Sequence, residues 1–265
     1  KIAMGRIGSI NNGVSSWAQF GMLSAFGTSW DYSAQMGTWA VGAGIWDNMI
    51  AYQTPTFAGF TVYAQYGMGS NNNENESSSD RYYALGAKYA NGPLNLYLAV
   101  DSINYQTADL AAGVDADDID DSLTVTFGGN YDFEVLKLFA GAQYFDEAKV
   151  SSAFGLLGAT DYNDTFSTKF KGWSLGVSAN IPVAGGSVLV GAGYMDAEAA
   201  DSQKTADKDE LTRWVVSAGY DYPLSKRTNV YGILTYAQDS MEYTSKVEDQ
   251  DPTVFAAMVG IRHRF

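Results

Sequence analysis

His263 is the only histidine in 265 residues and cysteine is absent, which removes most of the side chains used for nucleophilic, acid–base and metal chemistry. Without cysteine there are no disulfides, thiolate metal sites or cysteine nucleophiles. A hydrolytic nucleophile also needs a base grouped with it, and one histidine supplies no such group. The densest run of carboxylates is Asp115-Ala116-Asp117-Asp118-Ile119-Asp120-Asp121. It could bridge calcium, but it lacks the glycine and the ligand order of an EF-hand and reads better as a solvated acidic loop. The 30 acidic residues outweigh 16 basic ones, a formal charge of -14, whereas a nucleic-acid binder carries a basic face. No enzyme, cofactor or metal is implied, and no nucleic-acid partner. What remains is electrostatic chemistry: charges and rings laid out along a surface.

The elements that carry those groups have a period of two. Leu94, Leu96, Leu98 and Val100 alternate with Asn95, Tyr97 and Ala99; Leu123, Val125, Phe127 and Tyr131 oppose Thr124, Thr126, Gly128 and Asn130. Trp173, Leu175, Val177, Ala179 and Ile181 likewise oppose Ser174, Gly176, Ser178 and Asn180. Such runs are strands with one apolar and one polar face. No stretch approaches the roughly 18 apolar residues of a membrane helix. Twelve strands are predicted, at 1–6, 47–54, 59–68, 81–90, 93–103, 122–131, 136–146, 172–182, 187–196, 211–222, 228–239 and 253–265. Short links such as Asn91-Gly92 and Val183-Ala184-Gly185 take turns with long polar ones such as 106–121 and 149–169. An all-β, antiparallel, up-and-down transmembrane β-barrel produces that alternation, with tight turns at one rim and long loops at the other. Nothing divides 1–265 into two domains.

Three features favour lipid over water on the apolar face. The polar face in mid-strand is Gly, Ser, Thr and Asn rather than Lys and Glu. Most acidic residues lie in the long connections. Aromatic residues mark both ends of the apolar face: Tyr66, Tyr83, Tyr144, Trp173, Tyr194, Trp214 and Tyr236 in one set, and Tyr52, Phe60, Tyr89, Tyr131, Tyr220 and Phe265 in the other. Aromatic girdles at the two interfaces are what a membrane barrel requires, and closure satisfies its backbone in lipid.

Particular stretches then match a family. Met4-Gly5-Arg6, Tyr52-Gln53-Thr54-Pro55, Phe57-Ala58-Gly59-Phe60, Tyr89-Ala90-Asn91-Gly92-Pro93, Gly219-Tyr220-Asp221-Tyr222 and Gly260-Ile261-Arg262-His263-Arg264-Phe265 occur in family order along nearly the whole chain. The sequence resembles the general, non-specific porins of Gram-negative outer membranes, of the sixteen-stranded β-proteobacterial type. The resemblance implies passive diffusion of small hydrophilic solutes and ions through a homotrimer set among lipid and lipopolysaccharide. It aligns the first strand here with the family's fifth, so that four strands and a signal peptide would precede it. Phe265 resembles the family's barrel-assembly signal. Residues 7–46 fall at the third loop, which folds into the lumen and narrows it. Trp17, Phe20, Trp30, Tyr32 and Trp39 there either face solutes or pin the loop to the wall, with Asp31 its acid. Ala51 stands where the family often has arginine.

Alternation assigns Lys88, Lys137, Arg213, Arg262 and Arg264 to the lumen side, with Asp101, Asp132 and Asp221 near strand ends. Arg6, at the root of the narrowing loop, is the foremost basic candidate at the constriction, and Asp31 and Asp101 are the acidic lining. Arg262 and Arg264 read better as rim residues paired with acids, and His263 as an interfacial ring. Acidic outer loops predict a mild cation preference. Two other readings stay open: a sugar- or amino-acid-selective porin using the aromatic loop, and a plugged structural or adhesin barrel.

Overall fold

Where apolar and polar residues alternate, strands form. A computed structural model describes residues 1–11, 17, 19–27, 35–40, 44–69, 80–105, 120–151, 165–202, 210–242 and 249–264. Within them lie β1 (Ile2–Gly8), β2 (Ile45–Gln53), β3 (Phe60–Gly67), β4 (Arg81–Asn91), β5 (Leu94–Asn104) and β6 (Leu123–Asp132). The order continues with β7 (Lys137–Ser151), β8 (Thr165–Val183), β9 (Gly186–Ala199), β10 (Glu210–Pro223), β11 (Thr228–Glu242) and β12 (Thr253–His263). Each strand pairs with its neighbour in sequence, so one twelve-stranded sheet runs in chain order from β1 to β12, antiparallel throughout. Among the described residues β1 pairs only with β2, and β12 only with β11.

The tight links sit at one rim. Between β8 and β9 only Ala184 and Gly185 intervene, both at positive φ (51° and 81°). That is the geometry whose twist matches the flanking strands, and glycine reaches it at no steric cost.

The main departure from the predicted boundaries is at the opposite rim. β7 runs on to Ser151 and β8 begins at Thr165, beyond the ends expected from alternation. The added ladder contains register shifts between Phe145 and Ala148 and between Lys149 and Ser151. A bulge breaks the period of two, so alternation could not reveal it. Two short 3₁₀ turns, Phe20–Leu23 and Gln35–Thr38, also lie within the long segment after β1; no repeating pattern announced them.

That segment shows how the sheet curls. Ile10 packs with Tyr82 and Tyr97 of β4 and β5. The turn Phe20–Leu23 lies against β6 and β7, and Gln35–Thr38 against β8, β9 and β10. Phe26 packs with Leu189 of β9 and Ile233 of β11. One short stretch can touch β4 through β11 only if the sheet wraps around it. The inside of the curve therefore holds the core, while the outside bears bare apolar residues: Leu85, Leu98, Phe127, Leu175, Val177, Val216 and Leu234 are all exposed.

Candidate functional site: the lumen and its inward-folded segment

Small wall residues make seats for the segment's large ones. A Cβ built at Gly141 would lie 2.7 Å from the Trp39 ring, and one at Gly128 would lie 2.7 Å from Leu23. Trp39 and Phe20 meet edge to face at 5.4 Å. Trp17, Phe20, Leu23, Phe26 and Trp39 are all buried, and Lys1 Nζ lies 4.5 Å from the Trp17 ring centroid. Of the five rings singled out in the sequence, the three described ones, Trp17, Phe20 and Trp39, are buried, and buried faces cannot stack on a passing solute.

Polar wall side chains satisfy the segment's backbone, as a non-repetitive chain inside a barrel demands. Gln65 Nε2 donates to the Gly8 carbonyl (3.2 Å), and the Ile10 amide donates to the Tyr82 hydroxyl (3.3 Å). Asn130 Nδ2 donates to the Met22 carbonyl (2.9 Å), the Ala25 amide to Ser178 Oγ (2.9 Å) and the Ala40 amide to Gln143 Oε1 (2.8 Å). The Ser/Asn/Gln side chains of this face thus serve in part as a latch for the segment.

The charges sort differently from their parity. Arg213, expected on the open lumen wall, is fully buried. Its Nε and Nη2 grip Asp239 at 2.5 and 2.8 Å, and Nη1 donates to the Gly37 carbonyl at 3.0 Å. Asp101, expected as an acidic lining residue, is also buried, accepting from Asn11 Nδ2 at 2.6 Å; Tyr97 in turn donates to Asn11 Oδ1 at 2.9 Å. Both lie beneath the segment, so neither charge lines open space. Arg6, expected at the constriction, is exposed and pairs with Asp47 at 3.3 Å, beside a register shift between Gly5 and Ile7. Arg262 sits at the short-turn rim, 3.6 Å from Asp221 and donating to Asn229 Oδ1 at 3.1 Å.

Lys88 and Lys137, both predicted for the lumen side, line open space. They border a cavity of about 400 Å³ together with Asn95, Asn130 and Phe139 of the wall and Gln19, Gly21, Met22 and Gly27 of the segment. Register places the cavity in the short-turn half, since Asn95 lies opposite both Ala90 and Asn130 near the turns. Among the described residues no acidic side chain lines it.

Outside, the aromatic sets fall at two levels of one face. Tyr66–Tyr83, Trp173–Tyr194 and Trp214–Tyr236 pack at 5.2, 5.6 and 5.0 Å at the long-loop level, where Tyr144 is registered with Trp173. Phe60–Tyr89 packs at 4.6 Å at the other level, where Tyr131 packs on Phe133 at 4.5 Å and Tyr220 stacks on Tyr222 at 6.4 Å. Tyr52 is exposed on the same face.

The sequence profile of Gram-negative porins matches residues 1–241. This chain belongs to that family. Its relatives include an outer membrane porin protein of Bordetella pertussis, 33% identical over 273 aligned residues covering 93% of this chain and 65% of the relative. Outer membrane porin protein 32 of Delftia acidovorans is 29% identical, over 86% of this chain and 60% of its own. The chain thus spans less than two thirds of both curated relatives. Among solved structures, the anion-selective porin of Comamonas acidovorans shares the fold with a TM-score of 0.62 at 21% identity, covering 100% of this chain and 74% of the other. The outer membrane channel DcaP of Acinetobacter baumannii does so at 0.60 and 15% identity, covering 98% and 71%. The porin resides in the outer membrane, as its family does.

Four predicted site residues of this porin, Trp30, Asp31, Tyr32 and Phe265, lie outside the described residues. Sequence reading missed the latch residues Gln65, Gln143 and Ser178, because hydrogen bonds to a distant backbone leave no local signal. It also missed a knot at the long-loop rim. There Lys169 pairs with Glu147 at 3.5 Å and lies 3.8 Å over Tyr105, whose hydroxyl donates to the Glu147 carbonyl at 3.1 Å. Burial pushes the Tyr105 phenol up to about 12, with nearby Asp80, Glu147 and Asp121 adding to the rise and a hydrogen bond to Ser122 opposing it.

Proposed function

We propose that this porin forms the wall and constriction of a water-filled channel through which small hydrophilic solutes and ions diffuse passively, with no chemical step. The observation that carries this reading is the division of solvents across one sheet. Exposed aliphatic side chains between two aromatic levels suit hydrocarbon. A polar inner face holds an inward-folded segment and an open cavity bordered by Lys88 and Lys137.

The segment 7–46 acts as the constriction, and the outward aromatics as the lipid girdle. Burial of Trp17, Phe20 and Trp39 supports a general pore over a selective one with an aromatic slide. The open cavity supports a conducting barrel over a plugged adhesin. Lipid and lipopolysaccharide surround the barrel, and the assembly is a homotrimer; a trimer form is named for an outer membrane protein of Vibrio cholerae that shares the fold at 17% identity. The excess of acids over bases in the long outer connections favours a mild cation preference.

Single-channel recording of the full-length protein in planar bilayers tests this. Conductance should rise in proportion to bulk salt without saturation, and sugars should not block it. The reversal potential in a KCl gradient should favour potassium weakly. A silent barrel, or a current that a solute blocks saturably, overturns the general-pore reading.

A further inference from the structure

Charge is divided between the two ends of the molecule. At the short-turn end, Lys88 and Lys137 border the cavity and Arg262 reaches Asp221. Lys226, Arg227, Arg264 and Lys1 are exposed at the rim itself. Against these seven bases stand three acids among the described residues of that end, Asp132, Glu134 and Asp221; the sequence as a whole holds 30 acids and 16 bases. The described part of that opposite rim exposes Asp120, Asp121, Glu210, Glu242, Asp249 and Asp251. Two of its bases are already engaged, Lys169 with Glu147 and Lys171 with Asp146 and Asp201.

We propose that the pore is electrically bipolar, negative at its long-loop mouth and positive in its short-turn half, and therefore conducts more readily in one direction. This rests on the channel reading above. Fixed charge in a water-filled lumen enriches counter-ions over roughly a Debye length, about 10 Å at 0.1 M salt. Cations thus gather at the long-loop mouth and anions in the Lys88–Lys137 cavity. When the long-loop side is positive, each ion enters through the end that enriches it, and the middle of the pore fills with carriers. When the potential is reversed, each ion must first cross the end that repels it, and the middle is depleted. The favoured direction is long-loop side positive.

The test is a current–voltage curve of oriented single channels of the full-length protein. A Gln250→Cys variant, exposed at the long-loop rim, in a full-length protein with no other cysteine, can be modified by a bulky impermeant maleimide from one side only, and the resulting drop in current identifies the long-loop side of each insertion. At about 0.1 M KCl the current at equal and opposite voltages should differ about twofold, larger with the long-loop side positive. At about 1 M, where the Debye length is near 3 Å, the curve should become symmetric. A Lys88→Gln/Lys137→Gln double variant should bring the low-salt ratio close to one, and its conductance at high salt reports separately whether the pore has formed. Should that variant fail to form pores, Asp249→Asn/Asp251→Asn should lower the same ratio from the opposite end. Symmetric or oppositely rectified current at low salt overturns the inference while leaving the channel reading in place. A barrel that conducts nothing at either salt removes the channel reading itself.

Discussion

Arg213 shows how little a residue's parity says about its surroundings. Its fork onto Asp239 satisfies both carboxylate oxygens, and the third contact ties Gly37 to the wall. Removing one partner of a buried pair leaves a naked charge, whereas removing both can be close to neutral. Asp239→Asn should therefore destabilise the folded barrel by about 3–5 kcal/mol, read as a lower urea midpoint in detergent micelles. Arg213→Leu/Asp239→Leu should recover most of that loss. Equal destabilisation by both variants would mean that the pair acts through Gly37 alone. Alternation in the sequence assigns Arg213 and Asp101 to the polar face, and in the structure both contact the segment after β1. It could not reveal that they are dry, because the cover over Arg213 comes from a backbone 176 residues away.

At the scale of elements, the strands were legible and the segment between β1 and β2 was legible only in composition. Strand geometry imposes its period on every residue, so Leu94 to Val100 or Trp173 to Ile181 announce themselves. A segment rich in Trp, Phe and Gly could be recognised as unsuited to a solvated loop, but its seats lie on Gly128 and Gly141, which read locally as ordinary members of a polar strand face. Gly141→Val should force Trp39 from its seat, where even a Cβ meets the ring at 2.7 Å. Overpacking of this kind costs about 1–3 kcal/mol. The expected phenotype is a loosened segment: on the proposed channel reading open-channel current noise rises, and the unfolding midpoint falls. Trp39→Ala with Gly141→Val should quiet the noise less than wild type does, since the seat is filled by the wrong side chain. Wild-type noise in Gly141→Val would show that Trp39 does not hold the segment.

For the whole molecule, the decisive quantity is which solvent meets each face. Val177 lies midway along the outward face of β8 and is exposed, while Tyr222 stands on the same face near the short-turn rim. In lipid, Val177→Lys should cost about 2–4 kcal/mol and Tyr222→Lys about 0–1 kcal/mol. Refolding equilibria into phospholipid vesicles measure both. Equal, negligible costs would mean that the outer face meets water, and the porin reading of the barrel would fail with it.

From the residues alone came the strand count, the sidedness of each strand, the two aromatic levels and the division of charge between short and long links. All of these are local properties, set by the period of two and by which side chains tolerate hydrocarbon. Folding in three dimensions decided which inward groups meet water. The segment after β1 buries Arg213 and Asp101 while leaving Lys88 and Lys137 open, because burial depends on which distant chain lies on top, and no neighbouring residue encodes that.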